Sequence, residues 1–224
     1  MNRFLRNENL IGKDGQTRLS QSNVLIVGVG GVGGYVAEML ARTGVGRFTV
    51  IDPDVVDITN INRQIIALDS TLGLAKVDVI KARIADINPS CEVTALKERY
   101  CSEISDKIFE TRYDYCVDAI DSVKDKVDFI VACKRHNLRC ISALGAGNRL
   151  ECNFEVKDIF STFGDGLARS VRSKLRKEGI DSHKCICSVD PPLNSSVPPS
   201  SISYVPAVMG CQIAREVIGD LLCR

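Results

Sequence analysis

Val24-Leu25-Ile26-Val27-Gly28-Val29-Gly30-Gly31-Val32-Gly33-Gly34, continued as far as Asp52, decides how this chain folds. Four consecutive apolar residues running into glycines read as a buried strand. The glycines then admit a tight turn at Gly28, close approach of the backbone to a phosphate at Gly30, and close packing of a helix at Gly33. A helical segment follows over 31–43, and a second apolar run, 48–51, ends on Asp52. Strand, turn, helix, strand and terminal acid form a nucleotide-binding βαβ unit. The helix N-terminus, with Gly31 in it, offers unpaired N–H groups and a positive dipole end to an anion. Asp52 stands roughly 24 residues after Gly28, about where an acid reaches a ribose hydroxyl.

The next segment, Asp52-Pro53-Asp54-Val55-Val56-Asp57-Ile58-Thr59-Asn60-Ile61-Asn62-Arg63-Gln64, is unusual for a dehydrogenase. A pyrophosphate cofactor is held mainly by backbone amides. A triphosphate bound for cleavage also needs cationic side chains and a metal-binding carboxylate. Arg63 can meet phosphates as a fork, and Lys76 adds a point charge. Asp121 ends the apolar run 116–120, where it can hold a magnesium ion. Asp54 and Asn60 join the same set, Asn60 to orient a phosphate or a metal-bound water. Taken singly, Arg63 or Lys76 reads as a solvated surface cation; together with the glycine turn they point to ATP with Mg2+.

Further along, 4–11 reads as a short leading helix, and 52–69 as a loop long enough to be functional. Apolar residues at Val77, Ile80, Ile84 and Ile87 make 73–87 an amphipathic helix, stopped by Asn88-Pro89. Then come a strand at 92–96, a helix at 103–109, a buried strand at 114–119, a helix at 122–137 and a strand at 139–144. This alternation implies an α/β fold with a doubly wound, mostly parallel sheet. Beyond Gly147 the pattern changes. Residues 156–162 are ambiguous, 165–177 a helix, and 185–189 a candidate strand. The proline- and serine-rich stretch 190–203 is a loop or a disordered segment. A last helix, 205–222, closes the core. One domain is expected: an N-terminal helical segment 1–22, a nucleotide-binding core 23–147, and a substrate-side extension with the C-terminal helix, 148–224, that completes the sheet.

With 224 residues and a net charge of +1, the chain can bury a full core, and it neither demands nor excludes nucleic acid. No tryptophan and few aromatics argue against a wide base-stacking platform. The ten cysteines include no CxxC pair, and most sit in apolar runs. Reduced thiols, a cytoplasmic setting and no paired-thiolate zinc site are expected. No apolar run approaches the roughly 20 residues of a membrane span.

The glycine turn, the acid-rich strand end, Asn60-Ile61-Asn62-Arg63-Gln64, Lys76 and Asp121 together resemble the adenylating domain of the ubiquitin-activating superfamily. Its members include adenylyltransferases of sulfur-carrier proteins. The segments 112–121, 132–137, 142–148, 167–179 and 201–206 are similar to the branch of tRNA threonylcarbamoyladenosine dehydratases. The superfamily's catalytic cysteine and zinc-binding CxxC pairs have no match. This resemblance implies ATP-dependent adenylation of the threonylcarbamoyl carboxylate on adenosine 37 of tRNA, followed by cyclisation. It implies a homodimer in which Arg3-Phe4-Leu5-Arg6 crosses to the partner's ATP, with Arg6 acting in trans. It also leaves room for a sulfur-relay or electron-donor protein partner.

Three readings stay open. The first is the tRNA enzyme, for which Arg169, Arg172, Lys174, Arg176 and Lys177 on one helix are candidate RNA contacts. A charge run is otherwise a solvated face. The second is an adenylyltransferase for a ubiquitin-like sulfur-carrier C-terminus, with Cys185 or Cys187 forming a thioester near His183 and Lys184. The third is a dinucleotide sensor without catalysis.

Overall fold

The computed structural model describes residues 2–194, 196 and 199–223. Seven strands form one sheet in the order β3-β2-β1-β4-β5-β7-β6. The strands are β1 Asn23–Val27, β2 Arg47–Ile51, β3 Glu92–Leu96, β4 Tyr115–Asp118, β5 Cys140–Ala143, β6 Phe154–Asp158 and β7 Lys184–Ser188. All neighbours run parallel except the edge strand β6, which is antiparallel to β7. The helices are α1 Leu5–Gln21, α2 Gly33–Arg42, α3 Lys76–Ile87, α4 Ser102–Phe109, α5 Val123–Arg135, α6 Gly166–Lys177 and α7 Tyr204–Leu222.

Strand β1 is buried along its whole length, which is why its sequence is continuously apolar rather than alternating. Val24 and Ile26 pack into a core shared with Val36 and Leu40 of α2, Ile80 and Ile84 of α3, and Met209, Ile213 and Val217 of α7. Leu25 and Val27 point the other way, to Ile108 of α4 and Phe129 of α5. A third cluster joins α5 to Val171 and Leu175 of α6, over Cys185 and Cys187 of β7. Helices α2, α3 and α7 therefore cover one face, and α4, α5 and α6 the other. The order of the strands reverses between β1 and β4, so a crevice opens at their carboxyl ends.

One expectation is corrected and two open ones are resolved. The leading helix does not stop at 11. Gly12, at φ 75°, breaks it, and a second piece runs on to Gln21. That piece escapes notice because its inward residues are few and small: Gly15 lies against Leu222 of α7, and Leu19 is buried. The ambiguous segment 156–162 resolves into β6 followed by a 3-10 turn, Ile159–Ser161. The described part of 190–203 is a loop pinned to Asn148, whose side-chain oxygen accepts from Ser196 Oγ and from the Ser200 amide, both at 2.6 Å. Ser195, Val197 and Pro198 lie outside the described residues. Among those described, no helix is long and apolar enough to cross a membrane.

Candidate active site

The crevice at the switch point is a cleft of about 640 Å³. Gly28, Gly30 and Gly31 line it from the turn after β1, Asp52 and Asp54 from the end of β2, Arg63 and Lys76 from the following crossover, and Asp121 from the end of β4. Gly28 has φ 92°, and a Cβ there would meet the Ala119 carbonyl. Gly33 would drive a Cβ into the Gly28 carbonyl. These two glycines let α2 start against the strand tips, with its open N–H groups over the cleft.

Asp52 is 5% exposed. Its Oδ2 accepts the Val29 amide at 2.6 Å, and its Oδ1 accepts the Asp54 amide at 2.9 Å. Burial pushes its carboxyl above the usual range, while the two amide bonds and Lys76 pull it back. Each carboxylate oxygen keeps a lone pair for a further donor, such as a ribose hydroxyl. Lys76 opens α3 from a buried position, and its Nζ rests on Asp54 Oδ2 at 2.8 Å. The ammonium is thus held at the cleft wall by a carboxylate that is itself 61% exposed and able to swing away.

Arg63 is half-buried and donates to the Thr59 carbonyl at 2.8 Å and to Asn62 Oδ1 at 2.9 Å. Both bonds are made by Nη1, and the residue lines the cleft. Asn60 is placed differently. It is buried, and its Oδ1 accepts the Asp57 amide at 3.2 Å in a reciprocal cap of the 3-10 turn Ile58–Asn60. Its side chain shapes the loop that carries Arg63 and does not line the cleft. Gln64 is also buried under the glycine turn, and its Oε1 has no partner among the described residues.

The exposed Asp121 follows a turn fixed from below. Asp118 Oδ1 accepts the Ile120 amide at 3.0 Å. Asp118 Oδ2 accepts Lys126 Nζ at 2.8 Å and Ser142 Oγ at 2.6 Å. Lys126 also donates to the Ala143 carbonyl at 3.0 Å. The one hydroxyl proton of Ser142 goes to Asp118, so His183 Nε2, 2.7 Å from Ser142 Oγ, is the donor there. Burial and the nearby lysines push His183 down to about 3, so the ring is neutral. Asp118, Lys126 and Ser142 are fully enclosed. Losing one partner of such a buried pair costs about 3–5 kcal/mol. This network clamps the tips of β4 and β5 beneath Asp121, and the sequence reading missed it.

Across the cleft the wall is backbone, residues 145–147, with Leu167, Pro199 and Ser201 beyond it. Behind it, Asp165 Oδ2 accepts the Gly145 amide at 3.0 Å, and its Oδ1 caps α6 at the Ala168 amide, 2.8 Å away. Arg169, Lys174, Arg176 and Lys177 are exposed on α6. Arg172 is not: its Nη1 grips the Thr162 carbonyl and hydroxyl, each at 2.5 Å. It braces the turn before α6, so of the five candidate RNA contacts Arg172 is the one turned inward. Arg6 is exposed on α1 and does not line this cleft. Cys185 and Cys187 both face inward, and contact with Cys187, together with burial, pushes the Cys185 thiol up. Neither lines the cleft. Among the described residues no three His, Cys, Asp or Glu side chains could hold a metal ion by themselves. Magnesium carried by a nucleotide needs only one or two carboxylates besides phosphate, and the Asp121 carboxylate lines the cleft.

The chain is 43% identical to the tRNA threonylcarbamoyladenosine dehydratase of Bacillus subtilis, over 99% of its own length and 95% of that protein. It superposes on the Escherichia coli tRNA N6-threonylcarbamoyladenosine dehydratase solved in complex with ATP, with a TM-score of 0.94 and 32% identity, over 99% of this chain and 94% of that one. A probable molybdopterin-synthase adenylyltransferase from Porphyra purpurea is 29% identical over 93% of this chain and 50% of its own. The ThiF family matches residues 4–222. Fold, cleft and these likenesses agree: the chain belongs to the ThiF family.

Proposed function

We propose that this protein uses ATP to activate the carboxylate of the threonylcarbamoyl group on adenosine 37 of tRNA, and that the acyl-adenylate then cyclises. The observation that carries this reading is one cleft with two unlike walls. Asp52, Arg63, Lys76 and Asp121 line it on one side, and Gly145, Ala146 and Gly147 line it on the other. The relatives from Bacillus subtilis and Escherichia coli bear the name of this activity, and the Escherichia coli enzyme was solved with ATP.

In the first step a substrate carboxylate oxygen attacks the α-phosphorus in line, and pyrophosphate leaves. Asp52 fixes the ribose, and the amides at the α2 N-terminus cradle phosphate. Arg63 and Lys76 take up the charge that grows on the leaving group, which makes them worth more in the transition state than in the ground state. Lys76 leaves Asp54 to do so. Asp121 would hold magnesium, which neutralises phosphate charge when bound. In the second step a carbamoyl nitrogen of the substrate attacks its own acyl carbon. AMP departs with the former carboxylate oxygen, the nitrogen loses a proton, and one water is lost overall. Nucleophile and acyl group belong to one molecule, so proximity drives this step and no enzyme thiol is required. The burial of Cys185 and Cys187 supports that reading over the sulfur-carrier one.

The protein acts in this reading as a cytoplasmic homodimer, with Arg6 reaching the partner's nucleotide. Leu5 and Leu10 are exposed beside Arg6, and Val55, Ile58, Ile61, Leu68 and Leu74 are exposed on the β2–α3 crossover. That much apolar surface suits an interface between copies. The test is to incubate the protein with ATP, magnesium and tRNA carrying threonylcarbamoyladenosine, then digest the tRNA and weigh the nucleoside. A nucleoside lighter by one water is expected. An unchanged nucleoside, with pyrophosphate exchange driven by a sulfur-carrier protein instead, would overturn the proposal.

A further inference from the structure

Phe163 is 85% exposed, whereas Phe48, Phe109, Phe129 and Phe154 are buried. A lone exposed ring on a loose loop would need no explanation. This ring stands on a held turn. On one side Thr162 is 2% exposed and gripped by Arg172. On the other, Gly164 turns the chain at φ 73°, and Asp165 is buried and bonded to both Ala168 and Gly145. The backbone on both flanks is fixed, and the aromatic face is offered to water.

Its neighbourhood is cationic. The ring immediately precedes α6, whose exposed Arg169, Lys174, Arg176 and Lys177 give local positive charge in a chain of net +1. Two residues of chain span no more than roughly 7 Å, so Phe163 lies close to Asp165, which props the glycine wall of the cleft. RNA is read mainly where bases are unpaired, by stacking on aromatic faces while cations take the backbone.

We infer that Phe163 is a stacking platform for an unpaired nucleobase beside the substrate adenosine, with the α6 cations holding the adjoining phosphates. This rests on the proposal that tRNA is the substrate, and it names the surface on which the RNA loop lies.

The chain contains no tryptophan, so Phe163→Trp places a sole fluorescent indole at the site. Saturating tRNA should quench its emission. Phe163→Ala should bind tRNA about tenfold more weakly, the scale of one lost stack, and raise KM for tRNA with little change in kcat. Its ATP affinity should match wild type, and Phe163→Tyr should restore tRNA binding. Unaltered indole emission of Phe163→Trp at saturation, or wild-type tRNA affinity in Phe163→Ala, would refute the platform. So would conversion of a wild-type dimer to monomer by Phe163→Ala, which would assign the ring to a contact between copies. If wild-type protein turns over tRNA and Phe163→Ala does so equally, only this inference falls. If wild-type protein ignores tRNA, the functional proposal falls with it.

Discussion

The two walls of the cleft are built on opposite plans. Around β1, β2 and β4, side chains reach into the cleft and backbone groups or neighbouring acids hold them: Asp52 by two amides, Lys76 by the exposed Asp54, and the turn before Asp121 by the buried Asp118. Around 145–147 the backbone itself is the wall, and side chains prop it from behind: Asp165 at Gly145, and Asn148 along the 190–203 loop. The first plan concentrates charge, which a leaving pyrophosphate needs. The second gives shape, which suits an acyl group attached to a large RNA. Damage to the first wall should therefore appear as lost chemistry, and damage behind the second as lost recognition of the acyl substrate.

The largest effect is expected at Lys76 and Asp121. Each alanine variant should lose turnover by about 10²-fold or more, the scale of one preorganised electrostatic group, with smaller losses in ATP affinity. Stopped-flow turnover alongside calorimetric ATP titration separates the two quantities. Near-normal turnover in the double variant would remove the charge-bearing role from the first wall.

Next comes the surface beside the second wall. Reversing Lys174 and Arg176 to glutamate should abolish salt-sensitive tRNA binding and spare ATP affinity. Reversing Arg172 should instead lower the melting temperature, because that side chain braces the Thr162 turn. Similar melting points and similar tRNA losses in both variants would erase the distinction between exposed and bracing cations.

A smaller effect concerns the network under the first wall. His183 is held neutral, down to about 3 from an ordinary value of 6.5. The unfolded chain takes up that proton first as pH falls. The contribution to stability is thus present above about pH 6.5 and is lost progressively towards pH 3. Urea midpoints of wild type should drop more steeply between pH 6.5 and 4 than those of His183→Gln, while Asp158 titrates in both. Parallel curves would mean that the buried ring does not set the acid limit.

The smallest effect is expected at the cysteines. Converting Cys185 and Cys187 together to serine should leave tRNA-dependent ATP cleavage within a few-fold of wild type, once stability is matched by assaying below the melting point. A thioester trapped on either sulfur during turnover would return the sulfur-carrier reading.

The strand–glycine–helix–strand unit was legible because its causes are local: continuous apolar residues, glycines where the backbone must turn, and an acid at the strand end. Arg63, Lys76 and Asp121 were legible as types, and the fold brings them into one cleft with Asp52. The clamp beneath them was not, because Asp118 meets Ser142, and Ser142 meets His183, from distant stretches of chain. Arg172 had a signal that went unused. It lies on the helical stripe of Ala168, Val171 and Leu175, which is the buried face of α6. Counting charges along a helix hides such a residue, whereas following the apolar period exposes it. The Asn60 cap and the Asp165 prop are likewise polar residues placed in positions that loop and helix-start chemistry favours.

The most direct test follows an atom. The tRNA substrate is prepared with heavy oxygen in the threonylcarbamoyl carboxylate and turned over with ATP and magnesium. Adenylation followed by ring closure transfers one of those oxygens to the phosphate of AMP, so labelled AMP should accumulate in step with cyclised nucleoside. Label in inorganic phosphate beside ADP, or cyclised nucleoside formed with unlabelled AMP, would contradict activation of the carboxylate at the α-phosphate.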